Sequence, residues 1–300
     1  SLILKPHNFQ TIEIHLFSNE KKFSSILANN FIELKKYNYV KNKTKKAKAL
    51  LLLKIGDFEC YLKAKIRPHG DLIDHYHYSS LNNFRIPSLR VELIDTHIFG
   101  IVEFILFRPE TRNSYNEIYI NALFSELGYL APRTSLAKVK FKNNYEQMLF
   151  QEVINKEFLE YNSLSEGPII SGDERFVFET KLPEYSWHKI DNRKWIKKNI
   201  SNFNISKRAL DIINYTYFNH FNLSTLDDTT VVDYYTSTLG TDFNRFFDYL
   251  PAFDALLNST LSLHGISRDD RRFYYDVTKN RFIPILYDSY SEQTDNLVLG

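Results

Sequence analysis

Polar and apolar positions alternate in short runs along the first half of the chain, a pattern that predicts β-strands. In residues 11–17 three apolar side chains alternate with polar ones, which is typical of a half-buried strand. Residues 49–55 and 58–66 flank Gly56 and Asp57, a pair that closes two-residue β-hairpins. These runs, with four others, predict an antiparallel sheet. The other four are residues 88–94, 101–107, 135–141 and 147–150.

Apolar spacing takes a helical period at several later positions. Residues 116–127 repeat apolar side chains every three or four positions and are followed by Gly128, a typical C-terminal residue of a helix. Residues 152–160 also fit a helix. After a polar stretch near residues 165–200, two amphipathic helices are predicted at 209–221 and 243–261, the second broken or kinked at Pro251. The patterns predict an α+β protein, with a sheet-rich part at 1–165 and a mostly helical part at 166–300.

The second half ends in a predicted β-hairpin with an acid at each end. Residues 272–276 and 281–286 are two apolar strands joined by a polar turn. Asp270 precedes the first strand and Asp288 follows the second, so we expect their carboxylate oxygens to lie within about 6 Å of each other, close enough to share one divalent cation. Because Asp is also common in turns, the spacing alone leaves a purely structural role open.

Composition restricts the class of protein and its compartment. The 300 residues are 43% hydrophobic and 25% charged, which is typical of a globular protein with a real core. The formal net charge of +2 predicts no nucleic-acid partner, and no run approaches the roughly 18 apolar residues of a membrane span. Cys60 is the one cysteine and cannot form an internal disulfide. We therefore expect a soluble protein in a reducing compartment, the cytoplasm.

Two other groups of polar residues each admit two interpretations. His75 and His77 would lie on one side of an extended segment, but zinc needs three or four ligands, so a polar loop over the sheet is the alternative. Glu152 lies where a predicted strand meets a predicted helix. It either pairs with a phosphate-binding base from residues 63–90 and orients it, as the Lys–Glu pair does in protein kinases, or is a first-turn acid that the helix dipole stabilises.

Several short motifs, in this order, resemble the spore-coat CotH kinase family of atypical protein kinases. They are KIRPHG at residues 65–70, SLRV at 88–91, the segment 149–160 that contains Glu152, and a C-terminal group. The C-terminal group contains His264, Asp270, and the runs FYYD at 273–276 and IPILYD at 283–288. The likeness covers roughly residues 60–290.

The resemblance implies a divergent protein-kinase-like two-lobe fold, with the hairpin of residues 272–288 at the site. It also implies transfer of phosphate from ATP to a protein, or to a glycan, with Mg²⁺. In this assignment Asp270 and Asp288 bind Mg²⁺, and His264 and Asp270 are catalytic, with His264 near the acceptor hydroxyl. The residues assigned to ATP are Lys65, Arg67, Arg85, Arg90 and Glu152.

Three positions depart from the pattern of that family and put catalysis in question. Pro87 stands where the family tends to have a Lys, which leaves the phosphate-binding base among the other basic residues. His264 stands where a catalytic Asp is expected, and Asp270 where a metal-binding Asn is expected. The alternative is a non-catalytic pseudokinase or structural interaction module. An enzyme of this class should bind ATP only with a divalent metal.

Overall fold

The chain divides into two units that are discontinuous in sequence. We analysed a computed structural model, which describes residues 12–41, 44–76, 85–173, 187–222, 246–267 and 270–291. The first unit contains Ser1–Ile118 and Arg133–Val153, and the second contains Tyr119–Pro132 and Ile154–Gly300. No helix in these described ranges has the length and apolarity needed to cross a membrane.

Seven strands of the first unit close into a β-barrel with the order β1-β2-β3-β4-β5-β7-β6. Neighbouring strands pair antiparallel, except β1 and β6, which run parallel and complete the closure. The strands are β1 (Ile12–Ser18), β2 (Ala47–Ile55), β3 (Phe58–Pro68), β4 (Leu89–Leu93), β5 (Glu103–Phe107), β6 (Thr134–Phe141) and β7 (Asn144–Glu152).

The barrel interior is the largest apolar core of the described residues. Alternate side chains of each strand point inward, so residues such as Ile14, Leu51 and Val139 are fully buried. Helix α1 (Glu20–Tyr37) begins after Asn19, whose side chain accepts a hydrogen bond from the Lys22 backbone at 3.1 Å. Its buried residues Phe23 and Ile26 join the same core, whereas Leu34 packs in a separate cluster with Val40 and Tyr76.

The second unit is built on a four-stranded antiparallel sheet with the order β11-β10-β8-β9. Helix α2 (Tyr115–Glu126) precedes it in the chain. The strands are β8 (Ile169–Gly172), β9 (His188–Ile190), β10 (Arg272–Asp276) and β11 (Arg281–Ile285). The described residues of the unit also contain α3 (Lys156–Tyr161), α4 (Arg193–Ile196), α5 (Ile200–Asn222) and α6 (Leu250–Ser259). A short 3₁₀ turn lies at Leu263–Ile266 in this unit, and two others, Ile73–Tyr76 and Pro109–Arg112, lie in the first unit.

The predicted C-terminal hairpin is confirmed as β10 and β11. Its turn is stabilised by Asp276, whose Oδ1 accepts hydrogen bonds from Thr278 N at 3.0 Å, Thr278 Oγ1 at 2.6 Å and Lys279 N at 3.2 Å. Phe273 and Phe282 of the two strands lie in one buried cluster, where the Phe282 ring stacks on Phe247 with centroids 4.9 Å apart. This packing fixes the position of both strand ends.

The predicted divergent kinase-like two-lobe fold, a sheet lobe followed by a mostly helical lobe, is wrong. The strands of the first unit close into a mixed barrel, because β1 pairs with β6 in parallel. The later part of the chain carries a sheet as well as helices. The polar stretch near residues 165–200 contains two strands, at 169–172 and 188–190. They extend the sheet that the hairpin begins.

The predicted helices are found with altered bounds. The helix predicted at 116–127 is α2, and the one predicted at 152–160 begins at Lys156 after an Asn155 cap, because residues up to Glu152 continue strand β7. The predicted break at Pro251 is confirmed, because residues 247–249 are not helical and Pro251 lies in the first turn of a new helix, α6, where its missing N–H costs no hydrogen bond. Part of the predicted helix 243–261 lies outside the described residues.

Candidate metal site

Three potential metal ligands converge beside the ends of the β10–β11 hairpin. One ligand atom each of His264, Asp270 and Asp288 lies within 4.8 Å of the other two. His264 Nδ1 is 3.4 Å from Asp270 Oδ2 and 3.5 Å from Asp288 Oδ2. The predicted approach of Asp270 and Asp288 to within about 6 Å is therefore confirmed. Asp269, the acid next to Asp270, lies outside the described residues.

The two carboxylates are buried, and the imidazole is accessible. The side chains of Asp270 and Asp288 are 9% and 7% exposed, whereas that of His264 is 53% exposed. Two negative charges 4.8 Å apart, the upper limit for the ligand atoms of this cluster, repel each other by about 3 kcal/mol at an effective dielectric constant of about 20. A cation bound between them would relieve this repulsion, so the arrangement favours a positively charged ligand.

A close approach of two backbone segments positions His264. The 3₁₀ turn Leu263–Ile266 follows α6 and contains Gly265. A Cβ atom at residue 265 would lie 3.2 Å from Leu257 Cδ2 and 3.6 Å from the Tyr287 carbonyl oxygen. The turn therefore packs against the segment that carries Asp288 at ordinary contact distance, and a Cβ at residue 265 would be tight only against the Leu257 side chain.

The loop that carries Asp270 is held by specific hydrogen bonds. Arg271 donates from Nε to the Ile266 carbonyl oxygen at 3.0 Å and from Nη2 to Asp254 Oδ2 at 2.8 Å. Ser267 Oγ donates to Asp270 Oδ2 at 3.0 Å. These contacts tie the loop to helix α6 and fix the Asp270 carboxylate, as a preformed ligand set requires.

The donor set of the three residues fits a divalent cation. Two carboxylate oxygens suit Mg²⁺, which usually takes one or two protein carboxylates and completes its shell with water and phosphate oxygens. An imidazole nitrogen in addition also suits a transition metal such as Mn²⁺ or Zn²⁺. Three protein ligands would leave coordination positions for water or for a bound molecule.

Two basic residues assigned to ATP by the resemblance form structural contacts within the first unit. Arg90 donates from Nε and Nη2 to the two oxygens of Glu103 at 2.8 and 3.0 Å. Burial opposes ionisation of Glu103, but Arg90 and Lys46 lower its pKa to about 2. Arg67 is buried and donates to the Pro68 carbonyl oxygen at 3.0 Å, and burial, with the charge of Arg90, lowers its pKa to about 10.

Arg85 and Lys65, the other predicted phosphate bases, differ in their surroundings. Arg85 lies 3.4 Å from a Glu110 oxygen and 3.5 Å from a Glu146 oxygen. Lys65 is partly buried on β3, and no carboxylate among the described residues lies within 4.0 Å of its Nζ. Lys65 is thus the one of the four predicted bases without an ion pair or side-chain hydrogen bond in the described part of the chain.

Glu152 is paired, but with a residue outside the predicted range of 63–90. Its oxygens accept from Arg133 Nε at 2.8 Å and Nη2 at 2.6 Å, and its side chain is 1% exposed. The register of the β6–β7 hairpin, in which Thr134 pairs with Gln151, places Arg133 opposite Glu152. That register could have been read from the sequence.

The histidines considered as zinc ligands do not form a described metal site. His75 Nδ1 lies 3.0 Å from Ser88 Oγ, and its ring is buried beside His69 and Phe107. His77 lies outside the described residues. The surroundings of His75 are those of a packed, hydrogen-bonded side chain.

The fold and site define a class: a two-unit protein with a closed, mixed β-barrel in one unit and a His–Asp–Asp ligand cluster in the other. Comparison with models of known protein families and with curated protein sequences finds no match.

Proposed function

We propose that this protein is a metal-dependent phosphotransferase that binds ATP with Mg²⁺ at Asp270 and Asp288 and transfers phosphate to a protein or glycan hydroxyl near His264. The observation that carries the proposal is the approach of three ligand atoms to within 4.8 Å, with both carboxylates buried. The motif order of residues 60–290, which resembles CotH kinases, supports the choice of ATP as the substrate.

The residues of the site divide the chemistry between them. Bound Mg²⁺ would neutralise charge on the transferred phosphate. Asp270 and Asp288 would each hold it through a carboxylate oxygen. Carboxylates beside Nδ1 of His264 favour the tautomer with hydrogen on that atom, which leaves Nε2 to accept the proton of the acceptor hydroxyl. The acceptor oxygen bonds to the γ-phosphorus as the bond to the ADP oxygen breaks.

A non-catalytic interaction module is the second candidate, and one observation favours it. Arg85, Arg90 and Glu152 are each in ion pairs with residues of the first unit itself. A base must leave such a pair before it can neutralise a phosphate, and breaking a partly buried pair is costly. On this reading the ligand cluster would have a structural role.

Thermal melts of the full chain separate the two candidates. Wild type is measured with EDTA, Mg²⁺ alone, ATP with EDTA, and ATP with Mg²⁺. An enzyme of the proposed class rises in Tm chiefly with ATP and Mg²⁺ together, because a ligand that binds the native state stabilises it. Asp270→Asn should lose that shift, and Asp211→Asn, on the exposed surface of α5, should keep it. Equal Tm values in all four solutions favour the interaction module.

Phosphate transfer needs a separate test at His264. In the proposed mechanism His264→Ala keeps much of the ATP–Mg²⁺ shift but loses transfer of labelled γ-phosphate to a protein or glycan acceptor mixture by a factor of about 100 or more. Retained transfer in this variant would refute the role of His264 as proton acceptor but would not contradict the metal site.

A further inference from the structure

Exposed aromatic rings lie on alternate strands of the barrel, on its outer surface. Tyr145 on β7 is 50% exposed, Phe17 on β1 is 52% exposed, and Tyr61 on β3 is 64% exposed. Strand β6 separates β7 from β1, and strand β2 separates β1 from β3. Since neighbouring strands are about 4.8 Å apart, successive rings are separated by about 10 Å across the sheet.

Lysines lie between and beside these rings in the strand register. Lys140 is opposite Tyr145, and its Nζ is 4.8 Å from the centre of that ring. Lys63 is opposite Leu50, which is itself opposite Phe17. We call Phe17, Tyr61, Lys63, Lys140 and Tyr145 the aromatic–lysine face.

The two lysines of this face, Lys63 and Lys140, form no ion pair within 4.0 Å among the described residues. Two acids on the neighbouring positions of these strands, Glu13 and Glu59, form ion pairs with Lys138 and Lys54, respectively. The face is therefore locally basic, although the net charge of the whole chain is only +2.

A small cavity adjoins the face between β1 and β6. It has a volume of about 140 Å³, and its lining includes His15, Phe17, Lys140 and Lys142 together with one acid, Glu20. A ring, two lysines and a histidine around one concavity suit a flat group that carries or adjoins negative charge.

We propose that the aromatic–lysine face binds single-stranded nucleic acid. Rings on alternate strands would stack with unpaired bases, and lysines between them would contact the phosphates. A single strand alternates flat groups with charges, as this face does. An acidic peptide would use the lysines but not three separate rings. The surface is formed in the first unit alone and is independent of the proposed phosphotransfer.

The test is fluorescence anisotropy with labelled RNA and DNA single strands of about 12 nucleotides, with EDTA present and KCl raised from about 50 to 200 mM. Phe17→Ala, Tyr61→Ala and Tyr145→Ala should each weaken binding at least about fivefold with an unchanged salt slope. Lys63→Gln and Lys140→Gln should each reduce the slope of log K against log salt by about 0.7.

Controls distinguish the face from general charge and from misfolding. Phe203→Ala and Lys194→Gln, exposed in the second unit, should change neither affinity nor slope. Tyr61→Phe keeps the ring and should bind as wild type. Each variant is compared with wild type by circular dichroism, and loss of binding in a variant with native spectra supports the proposal.

Four results would overturn the proposal. They are no binding of either single strand, equally tight binding of a duplex of the same length, displacement of the oligonucleotide by polyglutamate at equal charge concentration, and wild-type affinity in all three alanine variants. The second and third would show that the surface responds to charge without recognising bases.

Discussion

Replacing Asp288 by Asn tests the candidate metal site directly. Asn keeps the shape of the side chain and one oxygen ligand but removes the negative charge. The Asp288 carboxylate is 3.5 Å from His264 Nδ1, and its ligand atom lies within 4.8 Å of that of Asp270. We expect Asp288→Asn to abolish Mg²⁺-dependent binding of ATP and to leave the fold intact.

The magnitude follows from the two buried carboxylates. Their mutual repulsion of about 3 kcal/mol is present when no cation is bound, so the metal-free variant should be as stable as wild type or more stable by at most that amount. With a divalent cation bound, the substitution becomes unfavourable, because one of the two negative charges that attract the cation is lost. We expect metal–nucleotide affinity to fall at least about 100-fold, which corresponds to about 3 kcal/mol.

Thermal melts of both proteins, with EDTA and with Mg²⁺ plus ATP, measure both effects. Wild type at a ligand concentration of about 100 times Kd should gain about 2.7 kcal/mol of stability, and the variant should gain almost none. Equal shifts in the two proteins would place the cation elsewhere. A variant that melts well below wild type in EDTA would show that Asp288 has a structural role and would refute the electrostatic reasoning.

Three further predictions concern the first unit. Glu152→Gln should destabilise the protein by about 3 kcal/mol in urea unfolding, because it breaks a buried ion pair, but should leave the Mg²⁺–ATP shift unchanged; a lost shift would assign Glu152 to the nucleotide. Burial raises the pKa of Glu103, but its basic partners lower it by more, to a net value of about 2. The ionised form of Glu103 therefore stabilises the fold above about pH 4.5. That contribution, about 3 kcal/mol, is lost as the pH falls from about 4.5 to 2, and Glu103→Gln should remove this part of the pH dependence in urea titrations. Gly70→Ala should cost about 3 kcal/mol or more, because φ is 95° and the new Cβ would lie 2.1 Å from His75 Cγ, whereas Gly100→Ala, with φ 83° and open space around it, should cost only about 1 kcal/mol in the same unfolding assay.

Local patterns predicted the elements that depend on neighbouring residues. Period-two alternation identified β1, the Gly56–Asp57 turn identified the β2–β3 hairpin, and the polar turn between two apolar runs identified the β10–β11 hairpin. The approach of Asp270 and Asp288 followed from that hairpin, because the start of its first strand and the end of its second meet at one end of the pair.

The parts that were missed depend on distant pairing or on very short elements. Period-two alternation is the same in parallel and antiparallel strands, so nothing local shows that β1 pairs with β6, more than a hundred residues later, to close the barrel. Strands β8 and β9 are too short for a period to be visible. Helix α1 buries only four side chains, among many Lys, Asn and Glu residues, so its apolar stripe is weak.

The Arg133–Glu152 pair changes what the phosphotransfer proposal requires. In protein kinases a Lys–Glu pair positions the base that binds phosphate, but here the arginine partner is fixed by strand register inside the barrel. Neutralisation of the phosphates therefore falls mainly to the cation held by Asp270 and Asp288. The proposal thus requires a steep metal dependence: ATP in EDTA should bind at least about 100-fold more weakly than ATP with Mg²⁺. Comparable affinities, measured by titration calorimetry on wild type, would mean that basic side chains rather than the metal site bind the nucleotide.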